Sequence, residues 1–463
     1  MVVRALGVRY VWIDALCIVQ DDDDSGAKAK DIASMDCIYE SAVLTIMSAW
    51  STDELFSSLD DCHRHKEIEI RVQSGLSQRV FVRCRLPHYY EIPEKSRLPI
   101  FNRAWIYQER ILSRRVVYFT ERELTWNCWT KRQCQCLAPS DNSLSHNGSF
   151  DDDQPGHDSS DDDDMARYPD IPRTLSWVRE IGGSSQSNKK ASVIWWEYAS
   201  EYSSLEMSDP DDRLRAIQGL AARVQAKGGK GAYLAGLWED SLVKDLCWQT
   251  HWTPPLEMGR AKPWRAPTWS WASIDAGIFN QLHKKYKKAA THAEIVRIET
   301  VPDSPQPGDM LRYGVISIKT TAVDLLLNDC RLAKREDSDF MIHRPPYTFQ
   351  AEGISVFPVK EHLAGDRSSE FVPDCEFMQG MDEDAKFDVR LLKMLDATTP
   401  ATLHRDEGLE GIWLVTRGAE GRETDLYERV GHLSIFKGVK GSTEGDLDAE
   451  LLNIGRNMVV RLQ

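Results

Sequence analysis

Tyr10-Val11-Trp12-Ile13-Asp14-Ala15-Leu16-Cys17-Ile18-Val19-Gln20 is the stretch on which the amino-terminal fold turns. Tyr10 to Ile13 form a short apolar run rich in aromatic and β-branched residues, which predicts a core strand of a parallel sheet. Asp14 falls where such a strand would leave the core. Ligands of open α/β sheets gather at the carboxyl ends of strands. Asp14 is therefore either a ligand contact or a side chain that ties its own loop by hydrogen bonds.

Working outward, Ile32, Met35, Tyr39 and Ala42 recur with the spacing of one buried helical face, predicting a helix over Lys30–Ala42. Val43 to Met47 follow as a short buried strand, so the segment reads as a β-α-β unit. Alternation at 67–73 and 79–85 predicts an inserted or edge hairpin. Asn102 is placed to cap a helix starting at Arg103, with Trp105, Gln108 and Leu112 along one side. Val116–Phe119 and Leu124–Cys128 then read as a second hairpin.

From about Ser140 to Met165 the pattern dissolves into Asp151–Asp153 and Asp161–Asp164 among Ser, Gly, Pro and Asn. Such a stretch cannot bury enough apolar surface to offset the entropy of ordering, which predicts a disordered linker or surface insertion. Beyond it, Pro210 after Ser208-Asp209 starts a helical pattern through Leu214, Ile217, Ala221 and Val224, and Gly228-Gly229 stop it. Tyr233–Trp238 and Pro267–Trp271 supply apolar anchors, suited to interdomain packing more than to a ligand box. After about residue 291, the segments 314–321, 353–360, 411–416 and 426–436 predict a mostly β region.

Composition narrows the functional classes. With 463 residues the chain exceeds the size of a single core. The charge balance, 57 − 72 = −15, argues against nucleic-acid binding driven by the phosphate backbone. No apolar run approaches the ~20 residues of a membrane span, and Arg4, Arg9 and Asp14 break up any secretory signal. The ten cysteines form no regular framework and read as reduced thiols of a cytoplasmic protein. Cys128, Cys134 and Cys136, with Cys62-His63 upstream, make only a weak zinc pattern, and no metal site is assigned. There is no Gly-x-Ser-x-Gly elbow, phosphate loop or His-Glu-x-x-His helix, and Gly228–Gly231 reads as a helix stop.

Several motifs in order carry a resemblance. Tyr10–Gln20, then Met35, Ile38-Tyr39 and Ala42, then Arg103-Ala-Trp105-Ile-Tyr-Gln-Glu109-Arg110 with Leu112 and Arg115 resemble the heterokaryon incompatibility (HET) domain of filamentous fungi. Asp212-Arg-Leu with Ala216, Tyr233–Trp238, Trp269–Ser273 and Leu426–Gly431 resemble segments that commonly follow that domain. The resemblance implies an α/β fold: a flavodoxin/TIR-like parallel sheet, truncated here, then a helical Trp-rich region and a mostly β carboxy-terminal region. The boundaries are a HET domain over 1–137, an acidic linker over 138–168, the Trp-rich region over 169–290 and the β region over 291–463. HET domains open with a further strand and helix ahead of the counterpart of Tyr10–Ile13. Their lack here implies a truncated start or a divergent member, with an unpaired edge and an exposed apolar row at residues 10–13.

The resemblance also implies a role in non-self recognition leading to programmed cell death, through self-assembly or protein partners. Some TIR domains cleave NAD with a glutamate in a Trp-Cys-x-x-Glu setting, which Trp105-Ile-Tyr-Gln-Glu109 resembles. On that comparison Glu109 is the candidate catalytic carboxylate, with Asp14, Trp105 and Arg103 as substrate-binding residues and NAD as a substrate instead of a cofactor. Trp105 and Glu109 lie about one helical turn apart and point the same way. The structural alternative is that Glu109 pairs with Arg103, Arg110 or Arg115 and only fixes the helix.

Overall fold

A computed structural model describes residues 2–19, 30–32, 34–49, 66–71, 77–82, 99–120, 124–128, 132–135, 191–226, 231–250, 259–283, 286, 289–302, 311–328, 348–351, 354–358, 369–374, 387–396, 409–419, 425–436 and 447–463. The acidic stretch 138–168, Cys62-His63, Cys136 and Gly228-Gly229 lie outside the described residues. The chain divides into two compact units, Met1–Ser187 and Asn188–Gln463.

In the first unit, α1 (Val2–Ala5) and the single turn α2 (Asp14–Cys17) precede α3 (Met35–Ser41) and β1 (Thr45–Ser48). The antiparallel hairpin of β2 (Lys66–Arg71) and β3 (Ser77–Val82) follows where alternation predicts it. Next come α4 (Ala104–Leu112), β4 (Arg115–Phe119), β5 (Leu124–Cys128) and β6 (Arg132–Cys134). The described sheet runs β1-β4-β5-β6, with β1 and β4 parallel and the other two pairs antiparallel. Its core packs Met47, Val116 and Tyr118 against Ile100, Phe101 and Ile106.

Two expectations are corrected here. Tyr10–Ile13 is not a strand: the segment carries no ladder, and Tyr10 is 81% exposed. Ile13 is extended (φ −136°, ψ 121°), but its carbonyl oxygen accepts from Leu16 N and Cys17 N, so it serves the α2 turn. The described parallel partner of β1 is β4, and an apolar run without a ladder keeps its backbone in water. Nor does Asn102 cap α4. It ends the 3₁₀ turn Pro99–Asn102, and extended Arg103 precedes the helix without a side-chain cap.

The second unit begins with α5 (Ala191–Ser203), which buries Trp195, Trp196, Tyr198 and Tyr202. Asp209 accepts a hydrogen bond from Asp211 N ahead of the 3₁₀ turn Pro210–Arg213, as a residue before Pro210 should. After α6 (Gln218–Ala226) the chain makes a tight hairpin, β7 (Tyr233–Leu234) to β8 (Leu237–Trp238). Ala235 and Gly236 both have positive φ, 44° and 94°. A side chain at 236 would run into the Trp271 indole. The Gly236 carbonyl in turn accepts from Trp195 Nε1 at 2.9 Å and Trp271 Nε1 at 3.0 Å.

α7 (Leu242–Asp245), β9 (Gln249–Thr250) and β10 (Ile278–Phe279) complete the helical part. The β part holds β11 (Ala290–Thr291), β12 (Glu294–Pro302), β13 (Leu311–Asn328), β14 (Thr348–Ala351), β15 (Ile354–Pro358), β16 (Ser369–Pro373), β17 (Phe387–Asp396), β18 (Leu409–Gly418), β19 (Leu426–Phe436) and, after α8 (Leu447–Ile454), β20 (Arg456–Leu462). These strands form one ten-stranded sheet among the described residues. The long β13 pairs with β20 over its first part and β17 over its last, so β13-β17-β18-β19-β20 return on themselves as a ring. Closure satisfies both edges of each strand in the ring. Its interior is filled by Leu325, Leu391, Trp413, Val415, Leu433 and neighbours, with Leu451 of α8.

One buried arginine joins the helical and β parts. Arg429 of β19 donates twice to Asp374, each time at 2.9 Å. Its remaining donors reach the carbonyls of Leu246 and Trp248, and its guanidinium lies 3.6 Å from the Trp248 ring centroid. Arg260 adds a second ion pair to Asp374 at 3.2 Å. Trp269 Nε1 donates to Gly314 O, and Thr268 N to Gln463 O. The tryptophan-rich anchors therefore pack within this unit, and two of them bridge its helical and β parts.

Candidate functional site

Glu109 sits in the last turns of α4 and is 8% exposed. The helix packs against α3, from which Tyr39 bears on the Glu109 carboxyl. Trp12 lies edge-on against the Tyr39 ring, centroids 5.6 Å apart at 78°. This is the favoured geometry of an aromatic pair. Asp14, the first residue of α2, is exposed and accepts from Ala15 N at 2.8 Å, which is the loop-tying role. Its charge also bears on Glu109 and Tyr39. Arg103, exposed at the entrance to α4, is the cation acting on Glu109.

Burial pushes the Glu109 carboxyl up from its ordinary value to about 7. Tyr39 opposes that rise, the Asp14 charge adds to it and Arg103 works against it. Burial, with the Glu109 and Asp14 charges, pushes the Tyr39 phenol far above its usual range, so Tyr39 is a fixed donor at neutral pH. A carboxyl that changes charge near pH 7 is suited to proton transfer, or to stabilising a developing positive charge.

Of the charged residues singled out from sequence, Asp14 and Arg103 both bear on Glu109 through their charges. Trp105 lies one turn before Glu109 on the same face and is half-buried, but no hydrogen bond or ring contact joins it to the other three. Of the three arginines weighed as its partners, Arg103 is the one whose charge bears on Glu109. Arg110 spreads over Phe101 and Tyr107, at 5.4 and 5.5 Å, and Arg115 reaches the Val43 carbonyl. Tyr39 and Trp12 are the members sequence reasoning did not assign to the site. The signal for Tyr39 was a phenol on a buried helical stripe, a group that needs a polar partner. Among the described residues no group of three or more His, Cys, Asp or Glu side chains could hold a metal ion.

Residues 1–109 match the family model for the heterokaryon incompatibility protein (HET). The amino-terminal segment is a HET domain. No curated protein and no solved structure matches the chain. Trp12, Asp14, Tyr39, Arg103, Trp105 and Glu109 all fall inside the matched HET span. The HET domain suggests a role in heterokaryon incompatibility. Among the described residues no helix is long and apolar enough to cross a membrane.

Proposed function

We propose that the protein is a cytoplasmic effector or regulator of heterokaryon incompatibility, whose HET domain assembles with further copies or protein partners to trigger programmed cell death. The observation that carries this reading is the apolar surface at the start of the domain. Leu6, Tyr10, Val11, Ile13, Leu16 and Val19 are all exposed within fourteen residues, Leu16 at 80%. Apolar side chains exposed together along one short segment suit an interaction site better than scattered single ones do.

A second reading has its own support. The buried Glu109, with Tyr39 and Asp14 around it, favours NAD cleavage in the same pathway. In that reaction the ribosyl carbon–nitrogen bond breaks and its electron pair leaves with nicotinamide. Water then bonds to the ribosyl carbon and gives up a proton. The Glu109 carboxylate would stabilise the oxocarbenium-like state between the two events, as carboxylates do in glycoside hydrolysis.

One experiment separates the readings. Wild type, Leu16→Asp and Glu109→Gln are expressed in a filamentous fungus, with cell death and NAD content followed together. The assembly reading expects death with wild type and Glu109→Gln, and at least a tenfold drop with Leu16→Asp. NAD loss and death that both vanish with Glu109→Gln would replace it by the enzymatic reading.

A further inference from the structure

The strands of the carboxy-terminal sheet gather a second set of reactive side chains. His292 follows β11, and its backbone N–H donates to the Met394 carbonyl of β17 at 2.9 Å. Its ring lies beside Asp396 at the end of that strand, with Nδ1 3.2 Å from Asp396 Oδ2. The other ring nitrogen, Nε2, is 2.9 Å from the Thr321 hydroxyl of β13. Asn457 of β20, the ladder partner of Thr321, comes within 3.4 Å of the same hydroxyl. Asp396 is also held on its second oxygen, with Lys393 Nζ 3.3 Å from Oδ1. Lys393 is fully buried and fixed by Asp448, whose two carboxylate oxygens are each 2.5 Å from Nζ. A side chain at Gly411 would collide with both groups. We infer that Thr321, His292 and Asp396 form a hydrolytic site for carboxylic esters: Thr321 is the nucleophile, His292 its base and Asp396 the acid that orients the base. Lys393 is the positioning residue of Asp396. This goes beyond both readings of the HET domain and depends on neither.

The order of the contacts gives the set its direction. A carboxylate only accepts, so in the neutral imidazole Nδ1 carries its proton toward Asp396 and Nε2 presents a lone pair to Thr321. Nucleophile, base and orienting acid in that sequence are how hydroxyl groups are activated on unrelated folds. Thr321 is 7% exposed, whereas His292 and Asp396 are half-buried and Asn457 is exposed, so the hydroxyl lies close beneath the surface. Thr321 Oγ1 bonds to the acyl carbon of the ester while its proton passes to His292 Nε2. The bond from that carbon to the leaving oxygen then breaks, and the leaving alcohol takes the proton from Nε2. Water attacks the acyl–Thr321 ester and passes a proton to His292, which returns it to Oγ1 as the acid departs. The Asn457 amide, whose oxygen and nitrogen exchange places when it turns over, is the donor at hand for the oxyanion.

The test is labelling of the full chain by a small alkyl fluorophosphonate, whose phosphorus bonds to an activated hydroxyl as fluoride leaves. Peptide mass spectrometry locates the adduct, and hydrolysis of p-nitrophenyl butyrate is followed alongside. Wild type is expected to carry the adduct on Thr321, and Thr321→Ser to label at the same position. Thr321→Val keeps the methyl group that lies against Gly455 and loses the hydroxyl. It should stay unlabelled, with ester hydrolysis lower by about a hundredfold or more. His292→Gln should slow labelling by a similar factor. Asp396→Asn keeps a partner for the ring but offers it an N–H, which favours the wrong tautomer, and should slow labelling by at least about tenfold. A tie that only held the strands together would shift unfolding midpoints in these variants and have no adduct to lose. A wild type without an adduct on Thr321, or labelling that is equally fast in His292→Gln or Asp396→Asn, overturns the inference.

Discussion

Asp374→Ala is expected to destabilise the carboxy-terminal unit by about 3–5 kcal/mol, the cost of leaving a buried charge without its partner. Asp374 is 1% exposed and Arg429 is fully buried, so removing the carboxylate strands a guanidinium away from water. The remaining contacts of Arg429, to the Leu246 and Trp248 carbonyls and the Trp248 ring, cannot neutralise it. Burial already pushes its pKa down, and Asp374 is the main group resisting that push. The comparison is Asp324→Ala. Asp324 is exposed and pairs with Arg390 at 2.6 Å on the sheet surface. An exposed pair is worth less than about 1 kcal/mol. Denaturant unfolding followed by tryptophan fluorescence checks both, because Trp248 lies against Arg429. Equal losses for the two variants would mean that Arg429 is not the tie between the helical and β parts.

Stability of the HET unit is expected to fall as pH rises from about 4.5 to about 7, by an amount on the order of 3 kcal/mol attributable to Glu109. The sign follows from proton binding. In that window the folded state keeps the Glu109 proton, whereas the unfolded chain, with its ordinary carboxyl value, has lost it. The folded state therefore binds more protons, and its advantage shrinks with rising pH until Glu109 itself ionises near 7. Glu109→Gln keeps the size and shape of the side chain and removes the titration. The difference between the wild-type and Glu109→Gln stability curves should thus change across pH 4.5–7 and level off above it. A flat difference would show that Glu109 titrates normally.

Periodicity made much of this fold readable. The Met35–Tyr39 stripe, the hairpin at residues 66–82, the helix carrying Glu109 and the β4–β5 pair stand in chain order close to where spacing puts them. The carboxy-terminal strands at 311–328, 354–358, 409–418 and 426–436 were likewise visible from alternation. Residues 10–13 misled because their composition is that of a buried strand, and composition does not say whether a ladder partner is present. The ring closure through β13 was not legible either. It depends on one 18-residue strand changing partners along its length, which no local pattern encodes.

The candidate site divides in the same way. Asp14, Arg103 and Glu109 stood out as charges at the ends or on the faces of apolar elements, and the charges of the first two bear on the third. Tyr39 was read only as part of a buried stripe, because a phenol looks apolar to a periodicity argument until its oxygen needs a partner. The buried Arg429–Asp374 pair left no local trace, since its members are 55 residues apart.

The apolar surface of the HET domain is the centre of this account, and sedimentation equilibrium of the purified chain tests it most directly. Wild type should associate with rising concentration, while Tyr10→Asp combined with Leu16→Asp should stay monomeric with an unchanged far-ultraviolet spectrum. A wild type that remains monomeric, or a double variant that associates equally well, would contradict it.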